Sequence, residues 1–239
     1  MTSTTVESAK SPSSRAVYAV FCLFGGVITF ALIRFVQTSP YFSYATDARF
    51  VGESGSMFPQ MAAVVWCFAG VFAAGLGVTT FAEQGFTFRP WRLDLLVIIF
   101  ACIIILPVGM VVYSLIRTNI MGIPFRVGWD LYLPVVWYHF AYAALPEEIF
   151  FRGFLQTNLG RAFGGKFPDL YARLAAVVIV AAVFAYAHVF VQDMPIYWLA
   201  FLPGLVFGLM REFTGSLTSA IAFHTICNVV FESTFGPQI

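Results

Sequence analysis

Charge is what this sequence has least of. Only 10% of its 239 residues are Asp, Glu, Lys or Arg, where a soluble domain carries roughly a quarter. So few ionisable groups cannot cover a water-facing surface. The net charge of +1 gives no basic footprint, which argues against a nucleic-acid partner. Cysteine is scarce as well. Cys22, Cys67, Cys102 and Cys227 all lie in apolar runs with no CxxC spacing. That leaves no disulfide framework and no metal knuckle, and each is expected to be a small buried hydrophobe. There is no HExxH, no internal repeat and no linker. A single domain is expected, and the inverted repeats of a transporter are missing.

What the sequence has instead is apolar bulk. Hydrophobic residues make up 60% of it, 28 are phenylalanine, and the mean hydropathy is +0.84. These values describe an integral membrane protein. The Ser- and Thr-rich residues 1–15 are expected to form a disordered cytoplasmic tail, and 16–239 a single transmembrane domain. Seven apolar stretches follow, at 16–36, 58–82, 94–116, about 131–158, 173–191, 195–210 and 216–235. Each approaches the ~20 residues a helix needs to cross hydrocarbon, except 195–210, which is short and interrupted by Pro203 and Gly204. The first is too long for a signal-peptide core and is expected to remain as a span. The fold class is therefore all-α, a polytopic membrane helix bundle of about seven transmembrane helices.

Basic residues set the orientation. With the N-terminus inside, eight of them (Lys10, Arg15, Arg89, Arg92, Arg161, Lys166, Arg173, Arg211) are cytoplasmic and three (Arg49, Arg117, Arg126) are outside. The positive-inside rule favours that arrangement. Trp129, Tyr132, Trp137 and Tyr138 then suit the outer interface of the fourth span. At 1.5 Å per residue, Glu148 lies roughly 15 Å deep, and His188, His224 and Asn228 come to roughly 22, 15 and 21 Å from the inner side. Polar residues of three helices thus gather near mid-membrane.

Their spacing suggests how they pair. Glu148 and Arg152, in "EEIFFR", are four apart and can form an ion pair on one helix face. Glu147 is turned about 100° away and has no such partner. Phe184 and His188 are four apart in "FAYAH", and His224 and Asn228 in "HTICN". Small residues around His188 (Ala181, Ala182, Ala185, Ala187) permit close helix approach. His139 has no polar partner near it in sequence and is expected to be structural. Ionisable groups inside a membrane are rarely kept without a function. These suit acyl hydrolysis by water. A carboxylate without a partner in a dry cavity can act as general base near neutral pH, a histidine can hold the water, and histidine with an amide can donate to an oxyanion.

In order and spacing, "EEIFFR", "FAYAH" and "HTICN" resemble the EExxxR, FxxxH and HxxxN motifs of the CPBP intramembrane proteases. That Abi-type family of CAAX proteases and bacteriocin-processing proteins includes the Ras-converting CAAX prenyl endopeptidase. "REFTGSLTSAIAFH" is similar to the family's approach to its last motif, and the resemblance covers about 140–232. It implies a CAAX-protease-like core in which Glu147 activates water with His188, His224 and Asn228 stabilise the oxyanion, and Glu148, Arg152 and Phe184 support the site. The implied partners are a membrane-anchored protein or peptide substrate and the lipid bilayer. The implied setting is a multi-pass protein of a bacterial inner membrane. No cofactor is expected. The alternative is a zinc metalloprotease using Glu147, His188 and His224, although catalytic zinc needs about three protein ligands. A non-catalytic bacteriocin-immunity or transport-type membrane protein is the competing class.

Overall fold

A computed structural model describes residues 12–39, 58–87, 91–116, 118–119, 133–164 and 166–235. Among these, seven long helices and one short one follow in chain order. They are α1 (Pro12–Thr38), α2 (Phe58–Gly75), the short α3 (Phe81–Gln84), α4 (Trp91–Ile116), α5 (133–163), α6 (Asp169–Gln192), α7 (Pro195–Thr214) and α8 (Thr218–Phe235). No β-strand occurs among the described residues. Four segments, Ser14–Thr38, Trp91–Ile116, Asp169–Gln192 and Pro195–Thr214, are long and apolar enough to cross a membrane, and Gln60–Gly75 is apolar but shorter. The two remaining long helices, α5 and α8, are those whose apolar runs are broken by Glu147, Glu148, Arg152, His224 and Asn228. The chain is an all-α integral membrane bundle, as its composition demands.

Boundaries differ from expectation in ways the local chemistry explains. The helix of α1 begins at Pro12, inside the stretch expected to be a disordered tail, and residues 1–11 lie outside the described ones. The second span ends at Gly75 rather than running to 82, because Thr80 starts a new helix. Its hydroxyl accepts from the Glu83 N–H at 3.2 Å while the Glu83 carboxylate accepts from the Thr80 N–H at 2.7 Å, a capping box. The turn tucks inward, and buried Gln84 donates to the Gly70 carbonyl at 2.9 Å and to the Thr79 hydroxyl at 2.8 Å. Among the cysteines only Cys227 is buried; Cys22, Cys67 and Cys102 are partly exposed, and all four are free thiols.

The sixth stretch is not broken. It runs for 20 residues, first as tight 3₁₀ turns (Pro195–Ala200) and then as α-helix (Phe201–Thr214). Pro203 falls in the first turn of that α-helix, where a missing N–H removes no bond. Gly204 brings α7 against α6, since a Cβ there would stand 3.1 Å from the Phe184 ring and 3.3 Å from Ala181 Cα. Four residues on, a Cβ on Gly208 would stand 2.9 Å from Val177 Cγ1. Small residues four apart are how membrane helices reach close contact.

In α5, Pro146 contributes no N–H. Its flanks are wound as wide π turns at His139–Ala144 and Ile149–Gln156, with Leu145–Glu148 as the α-helical turn between. Such widened turns recur at functional sites. Phe150, Phe151, Phe154, Phe184, Phe207 and Phe223 fill the core around this helix.

Candidate active site

The arginine of "EEIFFR" is wholly enclosed. Arg152 and Glu148 both have fully buried side chains, and Nη1 of Arg152 donates to Glu148 Oε1 at 2.9 Å. Its Nη2 donates to the Gly204 carbonyl of α7 at 3.0 Å. The guanidinium stands 4.4 Å from the Phe184 ring centre, 5.2 Å from Phe207 and 5.8 Å from Phe151. Aromatic faces attract a desolvated cation, so three rings, a carboxylate and a carbonyl surround a charge that no water reaches.

Glu148 has a second partner. Nδ1 of His224, on α8, lies 2.9 Å from the same Oε1. A carboxylate only accepts, so Nδ1 carries the proton. The ring's other nitrogen, Nε2, faces Glu147 Oε2 at 3.9 Å. That is too long for a direct hydrogen bond, and Oε2 of Glu147 has no partner in the protein. Two adjacent glutamates therefore address opposite nitrogens of one imidazole, one bonded and one not. Glu147 is also the more open of the two, with 18% of its side chain exposed.

His188 lies on α6 with Nδ1 2.9 Å from the carbonyl of Phe184. A carbonyl only accepts, which puts the proton on Nδ1 and leaves the lone pair of the neutral ring on Nε2. The Phe184 ring lies 4.4 Å from His188 and 5.8 Å from His224, joining the α6 histidine to the α8 one. Asn228 is half-buried one turn beyond His224 and makes no hydrogen bond among the described residues. Glu147, Glu148, Arg152, Phe184 and His224 thus meet around one ring, His188 joins them through Phe184, and Asn228 follows one turn along α8. Of the aromatic group placed at the outer interface, Trp129 and Tyr132 lie outside the described residues.

Comparison with protein families gives the match. The family model "Type II CAAX prenyl endopeptidase Rce1-like" matches residues 128–230. The match spans 103 of the 239 residues and shows what that segment is similar to. It contains α5 through α8 almost entirely, hence all three motifs. No curated protein and no solved structure gave a significant match.

Some site residues were not evident in the sequence of this Rce1-like segment. Phe207 stacks on His224, with centroids 4.6 Å apart and planes within 19°, and also covers Arg152. Its only sequence signal is its place between Gly204 and Gly208. Gln156, one turn after Arg152, donates to the Gly208 carbonyl at 3.1 Å and to Glu212 at 2.9 Å. It repeats the Arg152–Gly204 contact one turn along both helices. His139, expected to be merely structural, has a partner distant in sequence: its Nε2 is 2.6 Å from Glu232 Oε2.

A zinc ion would need Glu147, His188 and His224 to converge. Both histidines engage Nδ1, one with Phe184 and the other with Glu148, and leave Nε2 free, as a metal-ligating histidine also would. Among the described residues no three His, Cys, Asp or Glu side chains form a metal-binding group. No step below is routed through a metal.

Proposed function

We propose that the chain is an intramembrane endopeptidase that hydrolyses a peptide bond of a membrane-anchored protein or peptide. The substrate class suggested by the family's name is a prenylated CAAX terminus. The observation that carries the reading is the unequal pair of glutamates on one histidine ring, Glu148 bonded to Nδ1 and Glu147 unpartnered beside Nε2. A gap of 3.9 Å lets one small molecule touch both groups.

In this mechanism Glu147 takes a proton from a water whose other hydrogen is held by His188 Nε2. The water oxygen adds to the carbonyl carbon, and the negative charge moves to the carbonyl oxygen. His224, with Nδ1–H fixed on Glu148, presents a protonated Nε2 to that oxygen, and the Asn228 amide supplies a second N–H. Arg152 and His224 meet on the same Glu148 oxygen, which fixes the orientation of the His224 ring. When the C–N bond breaks, Glu147 returns its proton to the leaving amine. The products are a carboxylic acid and an amine, the acid's proton then passing to the amine to give carboxylate and ammonium, and Glu147 is regenerated.

The test uses purified full-length protein and a quenched prenylated peptide, with products identified by mass spectrometry. Cleavage should persist after prolonged chelation in protein holding less than one zinc per chain. Stoichiometric zinc, with activity lost to chelator and restored by zinc, would overturn the glutamate mechanism.

A further inference from the structure

One partly buried pair, His139 and Glu232, has no part in that mechanism. His224, Asn228 and Glu232 follow at intervals of four on α8, so they share one helix face. On α5 the same seam carries Glu148, Glu147 and, toward the helix start, His139. The seam is tied at both ends. Glu148 meets His224 at 2.9 Å, and His139 meets Glu232 at 2.6 Å. Asn228 stands between the two ties and has no bond of its own among the described residues.

We propose that His139 and Glu232 form a positioning pair that pins the end of α8 to α5 and thereby holds Asn228 at the oxyanion. Glu232 is two turns past His224, roughly 12 Å along the axis, too far to touch a bond beside Nε2. Asn228 is only one turn away. The described part of α8 runs to Phe235, and its Phe231 ring packs edge-on against Tyr113 at 4.8 Å. His139 is the partner that α5 itself offers this turn; losing it would let Asn228 drift relative to α5, and a misplacement of about 1 Å costs ~10²-fold in rate. The pair is also kept despite being a carboxylate in an apolar helix, a placement that needs a partner. Side-chain exposures of 12% for His139 and 28% for Glu232 put it at the less enclosed end of the seam.

The proposal rests on Asn228 being the oxyanion donor, and a double-mutant cycle separates the two claims. The full chain is placed in lipid nanodiscs with the quenched prenylated peptide. Glu232→Gln should lower kcat by about 10²-fold with KM little changed. In an Asn228→Ala background the same change should cost almost nothing more. Exchanging the partners, His139→Glu with Glu232→His, should recover most of the rate. Amide hydrogen exchange should rise in residues 133–141 and 226–234 of Glu232→Gln and return in the exchanged variant. If the losses multiply, or exchange in both segments is unchanged, the pin is wrong. If Asn228→Ala keeps the wild-type kcat, the oxyanion reading falls instead.

Discussion

Arg152 shows at the residue scale how the membrane interior constrains the site. A buried cation is tolerated only with nearly all of its surroundings compensating, and here Glu148, the Gly204 carbonyl and three phenylalanine rings do so. Lysine keeps the charge but loses the planar fork and the stacking. Arg152→Lys should therefore destabilise the protein by about 1.5–3 kcal/mol, the worth of a charged hydrogen bond, read as a lowered unfolding temperature in detergent. Asn228 should behave oppositely. Asn228→Ala leaves no buried group unpaired, so it should unfold like wild type while losing about 10²–10³ in turnover. At this scale the sequence was legible where partners are close in the chain. Glu148 and Arg152 could be read from their spacing of four. His139 and Glu232 could not, because 93 residues separate them and no local pattern announces the pairing.

At the scale of elements, α7 departs furthest from its reading. Proline and glycine at 203 and 204 suggest interruption in a linear scan. In three dimensions the proline sits in a first turn and the glycine is the contact with α6. Gly208→Ala would place a Cβ 2.9 Å from Val177 and 3.0 Å from Gln156 Oε1. It should cost about 1–3 kcal/mol, as overpacking does, and should weaken the Gln156 bond to the Gly208 carbonyl. Thermal unfolding compared with Gly26→Ala, where a Cβ meets nothing within 4 Å, isolates the contact. The winding of α5 was also hidden, since no residue preference encodes a π turn. Regular α geometry turns adjacent side chains about 100° apart, which hides the fact that Glu147 and Glu148 can reach opposite edges of one ring.

For the whole molecule, the count of seven long helices was legible, because hydropathy is enough to predict it. The pairing of helices was not, since packing between membrane helices depends on close contacts that composition does not record. Orientation follows from charge alone. The excess of eight basic residues over three should place residues 1–15 and the loop between α5 and α6 in the cytoplasm. In a background lacking the four native cysteines, Ser11→Cys and Gly164→Cys should resist an impermeant thiol reagent added to intact cells. Ready labelling of both would reverse the orientation and leave the bundle and its site unchanged.

The inequality of the two glutamates is tested most directly by changing each to glutamine and following folding and cleavage in the same preparations. Glu147→Gln removes only an unpartnered base, so it should keep the wild-type unfolding temperature and lose about 10²–10⁴ in rate. Glu148→Gln leaves Arg152 and His224 without their shared anion, and breaking such a buried pair costs about 3–5 kcal/mol, so that variant should be mainly unstable. Near-normal cleavage by well-folded Glu147→Gln would contradict the account.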